Sequence, residues 1–317
     1  MSAVLALDVG GTKMAAGVVA EDGTVRASTI VTTPAGGTAQ QLWESARGVL
    51  DSALEGYGEH VIGVGIGCGG PMVWPQGLVS PLNIPGWRGF PLVDRVKERY
   101  APDGVVRIHN DAVCVALGES RFGASRGHRS SLGMVVSTGV GGGLVVDGRV
   151  VDGLSGNAGH VGHVVVDPDG PDCACGGRGC LEAIASGPSL TTWALAHGWV
   201  PEAQDREAVA HAAPEHPPTA RDVGRSALDG DPIAIAALHR AGDAVGVAVA
   251  SVAALLDLRI AVIGGGVAQA GDLLFGPARE AYARHAGLDF TRDVAIVPAS
   301  LGQQAGLIGA AALVMPA

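Results

Sequence analysis

The sequence predicts an α/β protein in which one mixed sheet, with helices packed on it, is built twice. Two observations carry this. A strand, a glycine-rich turn and two further strands open the chain, and the same run recurs about 129 positions later. Each opening is then followed by the same succession of helix, strand, helix and strand.

In the first copy, residues 3–7 (AVLAL) read as a short buried strand, 8–13 (DVGGTK) as a turn and 14–20 as the returning strand. Glu21-Asp22-Gly23 turns the chain again into a strand over 24–32. A helix over 39–55 leads to a strand over 61–66. A long loop and a helix over 91–100 then lead to a strand over 105–109 and a helix over 112–122. The second copy has a strand over 132–136, a turn over 137–143 (STGVGGG), a strand over 144–146, a turn over 147–149 and a strand over 150–151. It continues with a helix over 232–257, a strand over 260–263, a helix over 272–285 and a strand over 294–297. Residues 201–222, rich in Pro, Ala and Glu, read as a connector without chemistry. A last helix, about 306–314, is expected to pack back on the first half. The two copies are expected to face each other across a cleft.

Composition narrows the function. With 317 residues, 47% hydrophobic and 16% charged, the chain is globular, with enough length for one large or two medium domains. A formal charge of −10 argues against nucleic acid or anionic membrane as a partner. It does not oppose a nucleotide held by backbone N–H groups and Mg2+. No basic stretch precedes an apolar one at the start, so nothing reads as a signal peptide. The apolar run 245–268 is interrupted by Asp257, Arg259 and three consecutive glycines, and reads as a helix followed by a strand rather than a membrane span. A cytoplasmic protein is expected.

Four soft ligands, His163, Cys173, Cys175 and Cys180, follow the spacing H-x9-C-x-C-x4-C. One loop can wrap such a set around a single tetrahedral ion. Three thiolates and an imidazole suit Zn2+ and leave no open position, so the ion would be structural. Unrelated buried cysteines are the plainer alternative, but these sit among Gly and Pro. The odd total of five cysteines and the strain of a Cys-x-Cys bridge disfavour disulfides.

The glycine turns join strand to strand, whereas a dinucleotide fingerprint or P-loop needs strand, loop, then helix. What remains is a hairpin whose backbone N–H groups can cradle phosphate oxygens. Asp8, Gly10, Gly11, Thr12 and Lys13 form the first candidate, and Thr138, Gly139, Gly141 and Gly142 the second. Either one alone reads equally as a tight hairpin. Gly264, Gly265 and Gly266 are a third candidate, with a helix-start turn as the alternative. Asp111, where a strand runs into Asn-Asp and a helix, is either a helix N-cap or a general base kept ionised by the helix dipole.

The motifs DVGGTK, HNDA, STGVGGG and GH-x9-CACGGRGCLE strongly resemble the ROK family of sugar kinases and repressors, across essentially the whole chain. That resemblance implies a duplicated actin-like, hexokinase- and RNase H-like ATPase fold, with sugar and ATP between two domains. The smaller domain would span 1–111, completed by a helix from about 304–317, and the larger 112–303, carrying the zinc loop. The resemblance places Zn2+ on His163, Cys173, Cys175 and Cys180, and the catalytic base on Asp111. It places sugar contacts on Asn83, Asn110, His163 and Glu182, and the adenosine beside Gly264–Gly266. Mg2+ would accompany ATP, and a homodimer or higher homo-oligomer is implied. Where most glucokinases of the family read AGExGH, this chain reads Ala158-Gly159-His160-Val161-Gly162-His163. A neutral imidazole at His160 offers one donor and one acceptor, which suits an acetamido carbonyl better than a second carboxylate does. The pattern resembles bacterial N-acetylmannosamine kinases, which puts N-acetylmannosamine slightly ahead of glucose as the sugar phosphorylated at its 6-hydroxyl. A family repressor would need a helix-turn-helix segment before the first phosphate motif, and seven residues precede Asp8 here. A zinc hydrolase is disfavoured because the ligand shell is closed. Polyphosphate in place of ATP stays open.

Overall fold

The computed structural model describes residues 2–58, 60–201 and 217–316. The first copy runs β1 (Ala3–Val9), β2 (Lys13–Ala20), β3 (Val25–Thr32), α1 (Ala39–Tyr57) and β4 (Gly63–Cys68). A small antiparallel sheet follows, made of β5 (Met72–Val73), β6 (Leu78–Val79) and β7 (Phe90–Pro91). Then come α2 (Leu92–Tyr100), β8 (Val105–His109) and α3 (Asp111–Phe122). The large sheet has the order β3-β2-β1-β4-β8, with β1, β4 and β8 parallel.

Alternation along β1 decides what covers each face. Leu5, Leu7 and Val9 join α1 (Leu42, Trp43, Ala46, Val49, Leu50) and α2 (Leu92, Val96) in one core. Val4 and Ala6 point the other way, into a second core. The apolar positions of α1 recur at helical spacing, and the helix is framed by a Thr38–Gln41 capping box and by Gly58 at φ 73°. Trp87 is fully buried, stacks on Phe90 at 4.6 Å and donates to Ala39 O, so it is a packing residue.

The second copy runs β9 (Ser130–Val136), β10 (Val140–Val146), β11 (Arg149–Val150), α4 (Leu181–Ala185), α5 (Gly187–Ala196), α6 (Ala220–Leu228), α7 (Pro232–Leu256), β12 (Ile260–Gly264), α8 (Asp272–His285) and β13 (Ala295–Pro298). Its sheet order, β11-β10-β9-β12-β13, repeats the first strand for strand. The chain closes with α9 (Ala305–Ala312). Leu307, Ile308, Ala310 and Ala311 of α9 complete the core on the Val4/Ala6 face. The fit is close because a side chain at Gly65 of β4 would strike Ala310 O, and one at Gly309 would strike Cys114 O in α3.

By length and composition α7 could cross a membrane, but 61% of its apolar window is buried. It is a core helix packed on α8, started by Asp231, whose carboxylate accepts from Ile233 N and Ala234 N, and by Pro232. Contacts divide the chain into two compact units, residues 1–133, 142–159 and 299–317 in one, 134–141 and 160–298 in the other.

Two expectations need correction, and some elements have no sequence counterpart. The second glycine turn is shorter than 137–143, because β10 already starts at Val140 and takes up Gly141 and Gly142. The small sheet and α4 to α6 were not anticipated. Most of the 201–222 connector lies outside the described residues, and its end opens α6, capped by Thr219 and Asp222.

Candidate active site

In the first unit the candidate residues gather at the carboxyl ends of three parallel strands, where α/β sheets place ligands. Asp8 lies near the end of β1, Gly67-Cys68-Gly69 at the end of β4, and Asn110-Asp111 just past β8. Asp111 is the first residue of α3. Asn110 is the N-cap, its Oδ1 accepting from Ala112 N at 3.0 Å. The N-cap reading of Asp111 is therefore displaced by one residue. The half-buried Asp111 carboxylate accepts from the same N–H through Oδ1 at 2.8 Å, beside the positive end of the helix.

Asn83 stands on the loop between β6 and β7. A methyl group on Gly11 would lie 2.7 Å from Asn83 Nδ2, and one on Gly69 would lie 3.9 Å from both Asn83 Oδ1 and Asp111 Oδ2. The first glycine turn, Asn83 and Asp111 thus border one spot in which bare glycine backbone leaves room. The turn closes through Gly10 N donating to Lys13 O at 3.0 Å, which leaves the N–H groups of Gly11 and Thr12 as its candidate donors. Thr33 ties the turn down by donating Oγ1 to Gly10 O at 2.7 Å, and Lys13 Nζ reaches Gln303 Oε1 at 2.9 Å.

Burial, reinforced by the Asp111 carboxylate and opposed by Lys13, pushes the Asp8 carboxyl up to about 6. Burial and these two carboxylates also push the thiols of Cys68 and Cys114 up, which leaves them as inert apolar packing. Sequence reasoning missed one partner of the Asn-Asp step. His109 is buried, its Nδ1 accepts from Asn110 N at 2.8 Å, and its Nε2 faces Asp152 Oδ1 at 3.2 Å. These bonds fix the imidazole tautomer with the proton on Nε2. The partners are 43 positions apart, a distance at which spacing carries no signal.

In the second unit, His163 Nδ1 and the Sγ atoms of Cys173, Cys175 and Cys180 lie within 4.8 Å of one another. Cys175 Sγ and Cys180 Sγ are 3.8 Å apart, and Cys173 Sγ is 3.9 Å from His163 Nδ1. A tetrahedron with Zn–S of about 2.3 Å has edges of about 3.8 Å. Geometry and donor chemistry are compatible with zinc. Gly176 and Gly179, at φ 89° and 67°, provide the loop's tight bends, and Cys180 pairs with Val165 across an isolated bridge. Nδ1 is the ring atom facing the cluster, so Nε2 of the exposed His163 is left for other work. His160 lies alongside it, with ring centroids 6.4 Å apart.

Glu182, in the first turn of α4, sends its carboxylate to the second glycine turn, where Oε2 accepts from Val140 N at 2.8 Å. Ser137 N donates to Gly139 O at 2.9 Å, Gly187 N at the start of α5 donates to Ser137 O at 2.7 Å, and Thr138 is exposed at the tip. A side chain on Gly265 (φ 95°) would strike Val136 O, and one on Gly266 would lie 3.7 Å from Ser137 Oγ. The structure therefore brings Gly264–Gly266 against the Ser137–Gly139 turn. Gly141 and Gly142 belong to β10 and not to the turn.

Residues 4–316 match the sequence profile of the ROK family. The chain is 35% identical to a glucokinase of Thermotoga maritima over 98% of its own length and 96% of that protein. It is 36% identical to an N-acetylmannosamine kinase of Citrobacter koseri, over 98% and 97%. A ROK glucokinase of Streptomyces griseus, solved with glucose and AMPPNP, superposes with a TM-score of 0.78 at 32% identity, over 99% of both chains.

Proposed function

The chain belongs to the ROK family, and we propose that it is an ATP-dependent kinase that phosphorylates the 6-hydroxyl of a free hexose or N-acetylhexosamine, with N-acetylmannosamine slightly ahead of glucose. The observation that carries this reading is the convergence of Asp111, Asn83 and the Gly11 turn at the carboxyl ends of three parallel strands. Asp111 takes the hydroxyl proton as the sugar oxygen attacks the γ-phosphorus and the bond to the ADP oxygen breaks. The helix dipole favours the charged form of a carboxylate at this end, and the Ala112 N–H aims Asp111. Asn83 and Asn110 offer amides to sugar hydroxyls, while Gly11 and Thr12 offer N–H groups to phosphate oxygens. The Ser137–Gly139 and Gly264–Gly266 turns are assigned to the nucleotide in the second unit. Mg2+, bound with the nucleotide, supplies neutralisation of the phosphate charge.

His163, Cys173, Cys175 and Cys180 would hold a structural zinc, fixing His163 with Nε2–H as a donor toward a sugar hydroxyl. Glu182 and His160 supply further sugar contacts. The two kinase activities named among the relatives occur at nearly equal identity, so the choice of sugar rests on the imidazole at His160. An ADP-release assay across N-acetylmannosamine, glucose, mannose, N-acetylglucosamine and 6-deoxyglucose tests the reading. Turnover with N-acetylmannosamine at least equal to glucose, and none with the 6-deoxy sugar, is expected. The ranking should swing toward glucose in His160→Glu. Absence of ADP release with every sugar would end the kinase reading.

A further inference from the structure

We propose that Glu182 is a positioning residue for the nucleotide, holding the Ser137–Val140 turn in its phosphate-receiving shape, whatever contact it also makes with sugar. The inference rests on the kinase reading above and adds a second task to a residue which that reading gives to the sugar alone.

Two independent features point to it. Val140 is 5% exposed, and its N–H is satisfied by Glu182 Oε2 at 2.8 Å. A buried N–H that loses its acceptor drives its segment to rearrange. The second feature is Gly139, where a methyl group would lie 2.7 Å from the same oxygen. The turn thus has a seat into which this carboxylate, and nothing added at Gly139, fits.

The carboxylate is itself well founded. Glu182 O accepts from Ser186 N at 3.1 Å and from Ser189 Oγ at 3.1 Å, which fixes the α4–α5 junction. Gly187 N, at that junction, holds the other side of the turn through Ser137 O at 2.7 Å. The cluster residue Cys180 is the N-cap of α4, two positions before Glu182. The turn is therefore gripped from both sides by the short helices that follow the cysteine loop.

Charge separates positioning from binding. A carboxylate beside a phosphate-receiving turn repels the anion, so Glu182 helps the nucleotide only by geometry. Glutamine at this position keeps the acceptor oxygen and removes the charge, whereas alanine removes both.

The test is calorimetric titration of AMPPNP with Mg2+ into the full chain without sugar, for wild type, Glu182→Gln, Glu182→Ala, Gly139→Ala and the alanine double variant. Metal content and thermal melting of each variant report its folding. Affinity should fall on the order of tenfold in Glu182→Ala, as loss of a hydrogen bond to a charged group implies. Glu182→Gln should bind at least as tightly as wild type within about threefold. Gly139→Ala should weaken binding similarly, and the double variant little further, because both changes break one contact. Unchanged affinity in Glu182→Ala overturns the inference alone, as does unchanged affinity in Gly139→Ala should Glu182→Ala not fold. Failure of the wild type to bind AMPPNP overturns the kinase reading and this inference with it.

Discussion

The two copies of the sheet share one strand order but not one chemistry. In the first, the fifth strand, β8, ends in His109 and runs straight into Asn110-Asp111 and α3. In the second, the fifth strand, β13, ends in Pro298 and runs into Ala299-Ser300. Asp111 and Ser300 occupy matching places, and only one carries a carboxylate. The third strands diverge as well. β3 leads directly to α1, whereas β11 is followed by the cysteine loop and α4 to α6 before α7 begins. Duplication thus gives two equivalent backbones, of which the first carries the carboxylate proposed as the base and the second the cysteine loop. The glycine turns differ in the same sense. The first is flanked by its own Asp8 and Lys13, while the second borrows the carboxylate of Glu182 from 42 positions away.

The largest test of this asymmetry is Asp111→Asn set against Ser300→Ala. Turnover should fall about a thousandfold in the first, within the usual range for a lost general base, with sugar affinity by calorimetry nearly unchanged. Ser300→Ala should leave turnover within about twofold and cost only the bond from Ser300 Oγ to Glu119 Oε2, about 1 kcal/mol in denaturant melts. Near-normal turnover in Asp111→Asn would remove Asp111 as the base. Next, Cys175→Ser should loosen the loop that holds His163 and weaken sugar affinity about tenfold, roughly the loss of one hydrogen bond. Mass spectrometry should find one zinc per wild-type chain, and active protein free of zinc would refute the bracing role of the second copy's loop.

Smaller effects probe the packing. Gly309→Ala must push α9 off Cys114 O of α3 and should cost about 1–3 kcal/mol in urea unfolding. Gly224→Ala in α6, where an added methyl meets nothing within 4 Å among the described residues, should gain about 0.5–1 kcal/mol. Equal shifts in the two variants would contradict the close fit of α9. Asp8 gives the mildest test. Its carboxyl titrates at about 6 in the fold against an ordinary 3.8, so the native state retains a proton that the unfolded chain releases between those values. Stability falls as pH rises through that window and levels above it. Asp8→Asn should lose less melting temperature than wild type between pH 4 and pH 7, while turning over more slowly. Parallel pH curves would show that Asp8 is not held in that environment.

Strands and long helices were legible because their composition leaves little choice. The Val- and Leu-rich β1 and the apolar face of α1 could be nothing else, and α8 begins and ends where its pattern does. The short helices α4 and α5 were not legible, since ten or fewer residues among Gly, Pro and Ser show no period. Local competition moved the N-cap from Asp111 to Asn110, two residues with nearly equal preference for the position. The clustering of His163, Cys173, Cys175 and Cys180 could be read from their spacing because one loop holds all four. The Glu182–Val140 and His109–Asp152 contacts could not, because each joins segments that only the folded sheet brings together.

The C-terminal helix α9 lines the core of the first unit, with Ala310 O seated over the bare backbone of Gly65 and Gly309 over Cys114 O. Residues 160–298, most of the other unit, are translated before it. During synthesis, then, the half that leaves the ribosome first is completed last, with the Val4 and Ala6 side of its sheet covered only in part, by α3, until α9 is made. Nascent chains stalled before Ala305 should bind chaperones through the uncovered part of that face and release them once the last helix emerges.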